Sequence, residues 1–188
     1  MTSKKIAAVR NLIKKECEEL GFVEDWFFGT HLLAVEKFAR ELLKKLPSAN
    51  AEVVLLSVWL HDVQRVRGLK GDHVGSGAKE ACKILSKFGY SKEIIEQVRA
   101  AILSHSCNTK LLPKSVEGKI LASADAMSHY VNDLYLTIAV SERQDLAAYK
   151  KWALEKLDRD YHKKIFFGFA KKMIQKRHEV LKEFMTMK

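Results

Sequence analysis

The residues best equipped for chemistry in this chain are histidines and carboxylates standing on segments that otherwise read as core. His31 opens a helical pattern, His61-Asp62 ends the most apolar stretch, His73 lies in a glycine-rich segment, and His105 closes another helical pattern. Asp125 interrupts the apolar run Leu121-Ala122-Ser123-Ala124 and Ala126-Met127. An ionised carboxylate alone in such a setting is costly, so it must be paired or must bind something. Singly, each residue has a plain reading: His31 as a satisfied or half-exposed histidine, His105 as a cation at a helix C-terminus, Asp125 as a buried hydrogen-bonding group. Together they form a different object. Imidazole nitrogen and carboxylate oxygen are the ligands suited to divalent Mn, Fe, Co, Ni or Zn, and the sequence distributes them over separate helices.

The elements that must position these residues are helical throughout. Residues 4–20 repeat apolar side chains at helical spacing and stop at Gly21; residues 30–46 do the same and stop at Pro47. Residues 53–62 are apolar on nearly every side, which for a helix means burial all round. Four of the nine glycines, Gly68, Gly71, Gly75 and Gly77, predict a loop that also holds Lys70, Asp72 and His73. Helices are expected over 78–88 and 92–105, a break at Pro113, one long apolar helix over 116–141, and two basic helices at about 144–157 and 159–185. Hairpin and strand signals are missing. The 188 residues, 47% hydrophobic and 30% charged, therefore predict an all-α, single compact multi-helix domain over 1–188.

Composition narrows the function classes. Cys17, Cys82 and Cys107 are odd in number, widely spaced and form no C-x-x-C, which points to a reduced, cytoplasmic chain and away from a disulfide framework or thiolate zinc site. There is no run of 18 uninterrupted apolar residues, so neither secretion nor membrane spanning is expected. The net charge of +10 is uneven: residues 150–188 hold 12 Lys/Arg against 5 Asp/Glu, a balance of +7, leaving +3 for the rest. Such a tail fits nucleic acid, an anionic surface or an anionic metabolite.

The ordered set His31 … His61-Asp62 … Asp125 resembles the HD-domain superfamily of metal-dependent phosphohydrolases. His61-Asp62-Val63-Gln64-Arg65 is similar to the H-D-I-G-R run common there, with Gln64 in place of glycine, and Glu117-Gly118-Lys119-Ile120-Leu121-Ala122-Ser123-Ala124-Asp125-Ala126 resembles the segment that delivers the last aspartate. Asp72-His73-Val74-Gly75-Ser76-Gly77-Ala78 and Ile102-Leu103-Ser104-His105-Ser106 look like the intermediate histidine segments of members that bind two metals. The resemblance covers about residues 25–130. It implies an HD-like core there, with one or two divalent transition-metal ions: His31, His61, Asp62 and Asp125 hold the first, and His73 and His105 join the second, with Asp62 able to bridge. The implied activity is hydrolysis of a phosphoester of a small anionic substrate, nucleotide-like ones included, by metal-activated water.

Around that core, Arg65 is the expected phosphate clamp and, with Asp62, the expected catalytic group; pairing with Asp72 or Glu80 is the alternative for Arg65. Arg67 and Lys70 are further substrate-binding candidates, and the nearby glycines let backbone N–H groups approach an anion. His129 with Asp133, and His178 with Glu179, read as solvated helix pairs. Trp26-Phe27-Phe28 reads as core, and the segment bearing Phe166, Phe167 and Phe169 as a packed helix with a solvated basic face. The alternative function is a non-catalytic HD-fold binding module whose basic helices, about 144–188, contact nucleic acid or an acidic partner. Nucleic acid is the less favoured partner, and no membrane is expected.

Overall fold

A computed structural model describes residues 4–19, 26–68, 72–107, 111–141 and 145–187; the side chains of Trp26 and His73 are outside the described set. Within it the regular structure is helical: α1 (Lys4–Glu19), α2 (Leu33–Lys45), α3 (Ala51–Leu60), a single turn α4 (Val63–Val66), α5 (His73–Lys87), α6 (Lys92–Ser104), α7 (Val116–Ser128), α8 (Leu134–Ser141), α9 (Leu146–Arg159) and α10 (Gly168–Thr186). Two stretches are wound wider, with π-type turns: Trp26–Leu32, running into α2, and Asp160–Lys164, running out of α9. The all-α expectation holds.

Helix starts are set by side-chain caps. Asn50 accepts from the backbone N–H groups of Glu52 and Val53 and starts α3, Ser91 accepts from Ile94 to start α6, Ser115 accepts from Gly118 to start α7, and Asp145 accepts from Ala148 to start α9. The Asn50 N–H donates to Glu117 Oε1 at 3.0 Å, which ties the start of α3 to the start of α7. These two helices form the centre. Val53 to Leu60 are buried without interruption in α3, and α7 buries Gly118 and every residue from Ile120 to Ser128. Helix α3 packs on α1, α2, α5, α6 and α7; α2 lies along α7, and the wide turn Asp160–Lys164 packs on α7 from the other side. The buried Ser57 hydroxyl donates to the Val53 carbonyl at 2.8 Å, which removes the cost of a polar atom there.

Three expectations need correction. The long helix over 116–141 is broken: α7 ends at Ser128, and a new start forms where Asn132 Oδ1 accepts from the Leu134 N–H at 3.1 Å. The glycine loop is largely helix. Asp72 caps α5 by accepting from Val74 and Gly75, so those N–H groups are already taken and do not wait for an anion. Gly75 belongs inside this turn because a Cβ there would lie 2.6 Å from Asp72 Oδ2. The third correction concerns the two paired motifs read as solvated. His129 and His178 are both buried, and His178 stacks on Tyr161 with centroids 4.2 Å apart. Core is the right reading for Phe27 and Phe28: Phe27 is buried beside His31, and Phe28 stacks on Trp59 at 5.7 Å.

Candidate metal centre

Five buried residues from four elements meet at the centre of the fold. His31 comes from the first wide turn, His61 and Asp62 from the corner that ends α3, Asp125 from the middle of α7, and His129 from the residue after α7. The corner explains why the His-Asp pair stands where an apolar helix stops: α3 is buried all round, so its last turn delivers side chains directly into the interior.

Their facing atoms are close. His31 Nε2 lies 3.4 Å from His61 Nε2, 3.8 Å from Asp62 Oδ2 and 3.7 Å from Asp125 Oδ1. His61 Nε2 lies 3.7 Å from Asp62 Oδ2 and 3.9 Å from Asp125 Oδ1. Adjacent ligands bound at roughly 2.1 Å stand about 3.0–3.4 Å apart in octahedral or tetrahedral order; the two imidazole nitrogens are already at that spacing, and each carboxylate would have to move in on them to share one ion. His129 Nε2 lies 3.4 Å from Asp125 Oδ1.

Partners behind each ring assign its proton. His61 Nδ1 faces the Val58 carbonyl at 2.8 Å, and a carbonyl only accepts, so Nδ1 carries hydrogen and Nε2 of the neutral ring keeps its lone pair. The Ser128 hydroxyl donates to the Asp125 carbonyl at 2.7 Å and therefore accepts from His31 Nδ1 at 3.1 Å. His105 repeats the device with Nδ1 2.6 Å from the Ile102 carbonyl, and His129 Nδ1 donates to Asp160 Oδ2 at 2.8 Å. Burial lowers the His31 pKa to about 3, that of His105 to about 4, and that of His129 as well, which keeps these rings unprotonated at neutral pH.

The carboxylates are held ionised in spite of burial. Burial alone raises an acid's pKa; around Asp62 it is outweighed by neighbouring positive charge, Arg65 included, and around Asp125 by Lys164 first. Lys164 Nζ donates to Asp125 Oδ2 at 2.6 Å with 6% of its side chain exposed. Burial opposes its charge, yet Asp125 and Asp160 raise its pKa and keep it an ammonium. Lys156 Nζ donates to Asp160 Oδ2 at 2.8 Å. Three enclosed carboxylates, Asp62, Asp125 and Asp160, are thus met by the enclosed ammonium groups of Lys156 and Lys164 and, at the rim, by Arg65 and Arg159. Lone pairs turned towards one another at the imidazole nitrogens and carboxylate oxygens fit a bound cation.

The structure brings together His31, His61, Asp62 and Asp125 and adds His129, which sequence reading set aside. His105 stacks edge-on to His61 with centroids 5.2 Å apart, but joins none of the three groups of facing ligand atoms found among the described residues. The His73 side chain and all of Lys70 lie outside those residues. Arg65 has 59% of its side chain exposed, with Nε 3.7 Å from Asp62 Oδ2; its neighbour is thus neither Asp72 nor Glu80. Arg67 has a different role from the expected substrate contact: it is clamped by Glu16, at 2.8 Å from Nε, and by Glu80, which binds α1 to α5.

Lys164, Asp160 and Lys156 were missed because they sit in a segment whose basic balance reads as a solvated face. Ser123 offers the single local hint, a polar residue on a buried helix. Its hydroxyl donates to the Lys164 carbonyl at 3.3 Å and accepts from the Phe166 N–H at 3.0 Å, clamping the second wide turn onto α7. A further group, Asp158, His162 and His178, gathers between α9 and α10, where Lys182 already takes the Asp158 carboxylate at 2.9 Å.

No curated protein matches the chain. Among solved structures it is similar to the crystal structure of a predicted HD superfamily hydrolase from an uncultured Thermotogales bacterium, with 22% identity and a TM-score of 0.65, covering 95% of this chain and 87% of that one. At that identity the likeness establishes the fold. The HD domain family model matches residues 28–129, from just before His31 to His129, and so takes in more than half of the sequence. The chain belongs to the HD domain family.

Proposed function

We propose that this protein is a metal-dependent phosphohydrolase that cleaves a phosphoester of a small anionic, nucleotide-like substrate. One observation carries the reading: His31 Nε2 and His61 Nε2 lie 3.4 Å apart and each stands 3.7–3.9 Å from an oxygen of Asp62 and of Asp125, and both rings have Nδ1 anchored so that Nε2 faces inward. These four would hold a divalent ion of the Mn, Fe, Co, Ni or Zn class. An ion held there would supply Lewis acidity, enough to lower the pKa of a bound water to about 7 and to offset charge on phosphoryl oxygens.

The chain's own residues do the remaining work. Lys164 neutralises one oxygen of Asp125 and turns the other towards the cluster. Ser128 and the Val58 carbonyl lock ring orientation, so little reorganisation is needed on loading. Arg65, exposed beside Asp62, can hold two phosphate oxygens at once and orient the substrate. A second ion would call on His105 and His73.

The rival reading, a binding module using basic C-terminal helices, loses part of its basis because Lys156 and Lys164 point inward and are paired with Asp160 and Asp125. A reducing, cytoplasmic location fits the free cysteines.

The test is metal analysis coupled to a panel of aryl phosphates, nucleotides and phosphodiesters. Purified protein should carry one or two transition-metal ions, and Asp62→Ala should lose both metal and hydrolysis. Intact protein that stays metal-free and inactive after growth and assay with Mn, Fe, Co, Ni and Zn overturns the proposal.

A further inference from the structure

The ring of His129 is aimed at the cluster from outside the H…HD…D set. Its Nε2 lies 3.4 Å from Asp125 Oδ1, and the ligand atoms of His31, Asp125 and His129 all fall within 4.8 Å of one another. The ring is parallel to that of His31, with centroids 5.7 Å apart and planes at 9°.

Its proton can be placed from its neighbours. Nδ1 and Asp160 Oδ2 are 2.8 Å apart, a distance that requires hydrogen between them. Lys156 Nζ donates to the same Oδ2 at 2.8 Å and lies 3.2 Å from His129 Nδ1. Were Lys156 the donor to the ring, Nδ1 and Oδ2 would confront each other as two lone pairs at 2.8 Å, so the longer Lys156 contact follows from both groups converging on one oxygen. Hydrogen on Nδ1 leaves the Nε2 of the neutral ring as an acceptor. That acceptor faces another, Asp125 Oδ1, whose partner oxygen is already bound by Lys164. Acceptors facing each other across a buried gap are reconciled by a cation.

Resting on the metal-centre reading above, we propose that His129 Nε2 is an additional protein ligand to the ion, and that Asp160 is its positioning residue, in a carboxylate–histidine–metal arrangement. The chain segment after residue 129 thereby helps to build the centre: Asp160 orients one ligand and Lys164 orients another.

Metal-free wild type, His129→Gln and Asp160→Asn are titrated with Co2+, recording the dissociation constant and the visible d–d spectrum, with circular dichroism as the check on folding. His129→Gln should weaken Co2+ at least about tenfold and change band positions and intensities, and Asp160→Asn should weaken it about 10–100-fold. Should His129→Gln not fold, Asp160→Asn decides alone by the same measures. Wild-type-like affinity and spectrum in the folded variants overturn the His129 assignment while leaving the metal centre intact. Wild type that binds no Co2+ overturns the metal-centre reading, and this inference with it.

Discussion

The corner at His61-Asp62 and the wide turn Asp160–Lys164 both carry ionisable groups into the interior, and they leave them in opposite conditions. In the wide turn the inward charges are paired within the protein: Asp160 Oδ2 meets His129 and Lys156 at 2.8 Å, Arg159 stands 3.8 Å from its other oxygen, and Lys164 meets Asp125 at 2.6 Å. At the corner, anchoring is confined to the back of each ring, and the inward nitrogens meet other acceptors at 3.4 Å and beyond. Buried charges cost free energy when unpaired, so a charge-paired cluster is support and one whose acceptors face each other is a place for a ligand. The two lie side by side, and the second depends on the first for the set of Asp125.

Breaking the charge-paired side should have the largest effect on stability. Lys164→Met leaves Asp125 uncompensated and is expected to lower the unfolding free energy of the metal-free protein by about 3–5 kcal/mol in urea titration. Lys182→Met, which removes the half-exposed pair with Asp158, should cost less than about 1 kcal/mol. Equal losses in the two variants would erase the distinction between the regions.

Acid probes the rings next. The folded-state pKa values of His31 and His105, about 3 and about 4, lie below the ordinary 6.5, so the unfolded chain binds protons first as pH falls. Their contribution is complete above about pH 6.5 and declines below it, by about 1.4 kcal/mol for each ring at pH 5.5, until the folded values are reached. Metal-free stability that stays flat between pH 7 and 5 would contradict the buried, neutral assignment.

The smallest effects separate the two arginines. Arg67→Ala removes the contacts to Glu16 and Glu80 and should cost about 1–2 kcal/mol with no change in KM. Arg65→Ala should leave stability within about 0.5 kcal/mol and raise KM for a phosphoester about tenfold. The reverse pattern would exchange their roles.

Much of this was legible before folding, and the reasons differ by residue. The end of α3 could be read because a buried helix is apolar on every side and a His-Asp pair at its close has no local means of satisfaction. Asp125 announced itself in the same way, as a charge among Ala, Leu and Ile. His129 did not, because its burial depends on the chain leaving α7 at Ser128 and on Asp160 arriving from elsewhere. Arg67 read as a substrate contact because Glu16, its partner, lies 51 residues away. Gly75 read as loop because glycine at the first turn of a helix and glycine in a loop are alike in sequence; the close approach of Asp72 distinguishes them only in three dimensions.

By itself the sequence determined the helices, through apolar spacing and caps such as Asn50, Ser91, Ser115 and Asp145, and it determined which polar residues would be carried inward by them. Only the tertiary structure decided who answers whom: that Lys164 reaches Asp125 across 39 positions, and that among the described side chains of the site's histidines His129 is the one backed by a carboxylate. Periodicity reports which face of an element is buried, a property of a few neighbouring residues. Partnership is a property of distance in space, and it exists only once remote elements have packed.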